Sequence, residues 1–155
     1  METNSCCFFG HRTINVTAEL TLSLNGIIRK LITEDRVDTF LFGSRSQFND
    51  LCYEQVTKLK EAYPHIQRIY VRAEFPDITE NYEAYLLERY EGTDYPETIK
   101  GAGKAVYVER NRTMIEKSRF CVVYCRECGL PPNRKSGTLQ ALDYAVKKGR
   151  VVIKV

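Results

Sequence analysis

Three short apolar runs, "CCFF" at Cys6–Phe9, "TFLF" at Thr39–Phe42 and "CVVY" at Cys121–Tyr124, constrain this chain most. A strand with one wet face alternates apolar and polar residues, and these runs do not. Both of their faces must therefore be covered, which is the condition of strands inside a parallel sheet layered between helices. The segments between them carry the helical period instead. Leu20, Leu24, Ile27, Ile28 and Leu31 follow the first run, while Phe48, Leu51, Cys52, Val56 and Leu59 follow the second and stop before Pro64. The strand "IQRIYV" comes next, then a third helix-sized segment around Ile78 to Tyr90. Near the C-terminus, "RFCVVYC" reads as a strand, Leu139, Leu142, Ala145 and Val146 as one face of a helix closed by Gly149, and "RVVIKV" as the last strand. The expectation is an α/β, doubly wound, mainly parallel sheet of five strands in the order 3-2-1-4-5, with helices on both faces.

The chain of 155 residues, 43% hydrophobic and 28% charged, suits one well-cored domain spanning residues 1–155. A net charge of +3 favours anions weakly, and no run of Lys and Arg or basic stripe with interleaved aromatics supports a nucleic-acid partner. The apolar stretches are strand-sized and the start lacks a basic leader, so we expect no membrane partner and a cytoplasmic protein. Cys125 and Cys128 form a CxxC with Cys121 nearby, but a structural zinc site needs a second ligand pair. Cys6 and Cys7 are adjacent in a strand and must point to opposite faces, so at most one of them could serve. Free thiols are expected, with no metal and no cofactor. A homo-oligomer is compatible with the sequence, which sets no stoichiometry.

In doubly wound sheets, ligands bind beyond the carboxyl ends of the strands, beside the point where strand order reverses. The first strand delivers Gly10, His11, Arg12 and Thr13 there. The second ends in Gly43, Ser44, Arg45 and Ser46, and the loop after the fourth brings Arg134, Lys135, Ser136, Gly137 and Thr138 to the start of the last helix. Helix N-termini offer unpaired N–H groups and partial positive charge, Gly admits a phosphate to the backbone, and Ser or Thr adds a hydroxyl. Taken singly, each is a turn residue or a cap. Together they suggest an anion site.

Two further segments stand out. "YVERNRTMIEKS" reads as a short helix entering the fourth strand, with Arg110 and Asn111 at its start, suited to forking onto phosphate and to reading a base edge or ribose. Between Glu74 and Gly103 the chain turns acidic and tyrosine-rich, with Tyr82, Tyr85, Tyr90 and Tyr95. This is either a surface crossover between the halves of the sheet or a lid over a ligand.

"CCFFGHR", "FGSRSQFND", "YEAYLLERYEGTDYPE", "GKAVYVERNR" and "SGTLQALDYAVKKGRVVIKV" together resemble the SLOG superfamily (SMF/DprA and LOG proteins), in particular its small YpsA-like bacterial branch, over nearly the whole chain. The resemblance implies a Rossmann-like domain that binds or senses a nucleotide or nucleotide-derived ligand. The ligand-binding set expected from the strand ends and helix starts is Gly10, His11, Arg12, Gly43, Ser44, Arg45, Arg110, Asn111, Ser136, Gly137 and Thr138. LOG-type phosphoribohydrolases, however, carry a "PGGxGTxxE" loop whose Glu acts at the glycosidic bond. Here the loop reads "PPNRKSGTLQA": Gly137 and Thr138 match the GT, the double Gly is absent and Ala141 replaces the Glu. The alternative function, a nucleotide N-glycoside hydrolase or transferase, would then need another acid, with Asp50, Glu74 and Asp77 as candidates and His11 as acid/base.

Overall fold

The structure is a computed structural model that describes residues 4–126 and 136–155. Its sheet has six strands, all paired in parallel, in the order β4-β3-β2-β1-β5-β6. The strands are β1 (Ser5–Gly10), β2 (Thr39–Phe42), β3 (Gln67–Val71), β4 (Gly92–Asp94), β5 (Phe120–Tyr124) and β6 (Val151–Lys154). Five helices join them: α1 (Ala18–Thr33), α2 (Gln47–Ala62), α3 (Glu80–Arg89), α4 (Val106–Glu116) and α5 (Gly137–Lys147). The doubly wound fold is as the sequence indicates, and strands β3, β2, β1, β5 and β6 keep the expected order. The sixth strand, β4, corrects the expected count. Its sequence, Gly-Thr-Asp, is a weak strand former, since two of its three residues, Gly and Asp, are depleted in strands. It extends the sheet because β3 leaves an open edge: Glu91 N–H donates to Arg68 O at 2.8 Å and Arg72 N–H to Asp94 O at 2.7 Å. Ion pairs pin this edge, Glu91 to Arg68 at 3.0 Å and to Lys60 at 3.1 Å, and Asp94 to Lys117 at 2.6 Å.

The uniform apolar runs bury both faces, as their lack of alternation requires. On one face Cys6, Phe8, Phe40 and Phe42 meet Leu24, Ile28 and Leu31 of α1 and Phe48, Cys52 and Val56 of α2. Phe8 lies parallel to Phe42, with ring centroids 5.3 Å apart. On the other face Cys7, Phe9, Leu41, Cys121 and Val123 meet Met114 and Ile115 of α4 and Ala141 and Ala145 of α5. Each fully buried Leu, Ile or Phe contributes roughly 1.5–3 kcal/mol of transfer free energy, so these two layers dominate the folding drive. The adjacent Cys6 and Cys7 do point to opposite faces, and all five described cysteines are free thiols; Cys128 lies outside the described residues. Among the described residues no His, Cys, Asp and Glu side chains gather as a metal site, and no helix is long and apolar enough to cross a membrane.

Helix starts are fixed by side-chain caps: the hydroxyls of Thr17, Ser46, Thr79 and Ser136 accept from the N–H groups of Leu20, Asn49, Tyr82 and Leu139. The Glu74–Gly103 segment is both a crossover and a wall. It contains α3 and β4, and its first part lines the cavity described next. Helix α3 is thinly anchored, with Leu86 as its one buried residue.

Candidate functional site

The carboxyl ends of β1, β2 and β3 and the N-terminus of α5 surround one cavity of about 960 Å³. Gly10, His11 and Arg12 enter it from β1, Ser44, Arg45 and Ser46 from the β2–α2 turn, and Ser136, Gly137 and Thr138 from α5. Arg110 and Asn111 line it from α4, and Glu74 and Asp77 from the segment after β3. Volume and position match the crevice at which open α/β sheets bind ligands.

Close packing sets this geometry. At Gly10 a Cβ would fall 2.3 Å from Phe48 ring atoms, so only glycine lets β1 reach the α2 N-terminus. The loop then docks on α2: Gln47 N–H donates to Arg12 O at 2.9 Å, and its Oε1 accepts from Ile14 N–H at 2.8 Å. Gly43 works differently from the sequence expectation. It is buried and does not line the cavity; a Cβ there would meet Val71 O at 2.9 Å and Arg110 Cδ at 3.0 Å. Its carbonyl accepts from Arg110 Nη1 at 2.6 Å. Gly137 is the contrast. Among the described residues, a Cβ at that exposed helix start meets no atom within 4 Å.

Arg110 and Asn111 sit in the second turn of α4 rather than at its start, because that helix begins at Val106. Arg110 is only 6% exposed. Besides Gly43 it donates through Nε and Nη2 to Asn111 Oδ1, at 3.3 and 3.2 Å, and its guanidinium lies 5.4 Å from the centroid of the Tyr107 ring. Burial lowers its pKa from the ordinary arginine value, opposed by Tyr70, Tyr107 and Glu74. An arginine remains charged under such pressure. Most of its donors are committed to protein, so Arg110 is a strut bearing positive charge on the cavity wall. The Asn111 oxygen is likewise taken, which leaves its amide nitrogen as the side chain's spare donor group.

The exposed cations are Arg12 and Arg45. Tyr70, then Glu74, hold Arg45 in its charged form, raising its pKa from the ordinary value. Glu74 has a left-handed backbone, φ 57°, a conformation that costs a non-glycine residue of order 1–3 kcal/mol and concentrates at functional sites. Its Oε1 accepts from the Tyr107 hydroxyl at 2.5 Å, and this bond raises the Tyr107 pKa. His11 Nε2 accepts from Arg126 N–H at 2.7 Å, so the neutral ring carries its proton on Nδ1. That tautomer leaves the Nδ1–H as the ring's donor.

Of the candidate acids, Glu74 and Asp77 line the cavity, while Asp50 stands in a neighbouring groove. Ala141, which the resemblance to LOG proteins would set where they carry a Glu, is 4% exposed, packs in the core beneath α5 and does not line the cavity. Arg134 and Lys135 lie outside the described residues. Sequence reasoning missed Tyr70, Arg72 and Tyr107. Arg72 holds the loop after β3 by donating to Phe75 O at 3.0 Å and Pro76 O at 3.3 Å, and it stacks 5.0 Å from the Tyr95 ring centroid. Applying the strand-end rule to "IQRIYVRAE", as to the other strands, finds Arg72 and Glu74 together. No family model matches this sequence, and no curated protein matches it either.

Proposed function

We propose that this chain binds or senses a phosphorylated nucleotide-type small molecule, as a cytoplasmic member of the SLOG superfamily close to its YpsA-like branch. The observation that carries the reading is the convergence of three strand-end or helix-start segments, Gly10–Arg12, Ser44–Ser46 and Ser136–Thr138, on one cavity. The free N–H groups at the start of α5, the hydroxyl of Thr138 and the exposed guanidiniums of Arg12 and Arg45 suit a phosphate. The Asn111 amide and the Glu74 carboxylate suit the polar edge of a base and the hydroxyls of a ribose. Among the described residues nothing stands within 4 Å of a Cβ at Gly137, which suits approach of an anion to the backbone.

The test is a thermal-shift and calorimetric panel of nucleoside monophosphates beside the matching nucleosides. Saturation at 100 times Kd adds about 2.7 kcal/mol of stability, a readily measured shift. Binding that requires phosphate, and that weakens in Arg12→Ala by a factor worth about 1.5–3 kcal/mol, supports the reading. Equal affinity for nucleoside and nucleotide contradicts it.

One observation favours a second reading. The strained Glu74, bonded to Tyr107 in the same cavity as Asp77, supplies a carboxylate where Ala141 cannot. A nucleotide N-glycoside hydrolase or transferase would use Glu74 to stabilise the developing sugar cation or to activate water, with Tyr107 holding its orientation. Release of free base from a nucleoside monophosphate, lost in Glu74→Gln with binding retained, would establish that reading.

A further inference from the structure

A groove of about 800 Å³ runs between α2 and α3 and opens into the main cavity. The two share a wall made of Arg12, Ser44, Arg45, Ser46, Tyr70 and Tyr82. Away from that junction the lining changes character. Tyr53 and Glu54 of α2 stand across from Tyr85 and Arg89 of α3, and Tyr90 adds a further ring. The Arg89 guanidinium lies 5.1 Å from the Tyr53 ring centroid and 5.6 Å from that of Tyr85. Tyr82 and Tyr85 are near-parallel, with centroids 6.3 Å apart, and Tyr85 is 52% exposed.

Packing does not account for this display. Helix α3 buries Leu86 alone, yet it turns two tyrosines and Arg89 toward the groove. Exposed aromatic faces beside a guanidinium form a stacking platform for planar heterocycles. Charge also changes along the path. The junction carries the cations Arg12 and Arg45, which suit phosphates, whereas the α2 wall carries Asp50 and Glu54, which repel phosphate but accept hydrogen bonds from sugar hydroxyls or an exocyclic amine. Asn49 also lines the groove; it is 4% exposed, and its buried Oδ1 has no hydrogen-bond partner among the described residues.

We infer that the α2–α3 groove is a second subsite that stacks a planar heterocycle, joined through phosphates at Arg12 and Arg45 to the nucleotide in the main cavity. The ligand class is a phosphate-linked pair of nucleosides, and the inference rests on the nucleotide reading of the main cavity. Tyr85 and Arg89 line the groove but not the main cavity, so the two halves can be perturbed separately.

Calorimetry with P1,P4-di(adenosine) tetraphosphate and P1,P4-di(guanosine) tetraphosphate, beside ATP and GTP, reads the subsite directly. For the base whose triphosphate binds, the dinucleoside compound should bind about 5- to 150-fold tighter, since stacking one base is worth roughly 1–3 kcal/mol. Tyr85→Ala should erase that gain while leaving triphosphate affinity unchanged, and Tyr85→Phe, which keeps the ring, should restore it. Equal affinity of dinucleoside and triphosphate, or a gain that survives Tyr85→Ala, would overturn the subsite and leave the nucleotide reading standing. Binding of none of the four compounds would overturn both.

Discussion

Replacing Arg110 with methionine isolates the strut that joins α4 to the β2–α2 turn. Methionine keeps an unbranched chain of similar reach and removes every donor. The bond from Nη1 to Gly43 O, 2.6 Å long, is lost at a backbone group that is itself buried. An orphaned buried carbonyl costs roughly 1–3 kcal/mol, and the two longer bonds to Asn111 Oδ1 add little because that oxygen lies beside the cavity. Relief of the buried charge offsets part of the loss. The net expectation is about 2 kcal/mol, which lowers Tm by roughly 4–8 °C in a chain of this size. Urea unfolding of Arg110→Met, Arg110→Lys and the parent chain measures it. The lysine variant should fall between the others, because an ammonium can still donate but lacks the planar fork. Parent-like stability of Arg110→Met, within about 0.3 kcal/mol by the same cost of an unpaired carbonyl, would refute the strut.

Other perturbations test separate parts of the account. Gly10→Ala forces a Cβ to 2.3 Å from the fully buried Phe48 ring, so it should cost about 1–3 kcal/mol or more in urea unfolding and loosen the β1–α2 junction. Burial alone would raise the Glu91 carboxyl, but hydrogen bonds and charge from Arg68 and Lys60 outweigh it and lower its pKa. Its stabilising contribution is therefore full above the unfolded carboxyl pKa and is lost as pH falls through the lower folded value. Glu91→Gln should cost about 1 kcal/mol at pH 7 after allowance for partial exposure, and the difference from the parent should vanish in acid unfolding titrations. LOG-type release of base, followed by chromatography, should be near background in the parent because Ala141 supplies no carboxylate. Ala141→Glu should not restore it: that position packs in the core rather than on the cavity, so the variant should unfold more easily instead.

The layered fold was legible because its central strands must be apolar on both faces, and "CCFF", "TFLF" and "CVVY" can satisfy no other arrangement as simply. β4 was not legible, because Gly92–Asp94 pairs only where the β3 edge happens to be open. At the site, strand ends and helix starts marked Gly10–Arg12, Ser44–Ser46 and Ser136–Thr138, and the fold brings all of them to one cavity. Local spacing could not separate a glycine that admits a ligand from one that admits another side chain. A Cβ at Gly137 would meet none of the described residues, whereas Gly43 makes room for Arg110 and Met114. The same limit applies to Arg110, whose role depends on a carbonyl 67 residues away in sequence. Glu74 was one of three candidate acids by residue type alone; the backbone angle and the Tyr107 bond that single it out have no sequence signature.

The phosphate position at the start of α5 can be read residue by residue from amide shifts of ¹⁵N-labelled protein during titration with a nucleoside monophosphate and with its parent nucleoside. The account predicts that the amides of Gly137 and Thr138 shift with the monophosphate and stay still with the nucleoside, in the parent chain and in Tyr85→Ala alike. Saturable binding of the monophosphate that leaves both amides unmoved would contradict it.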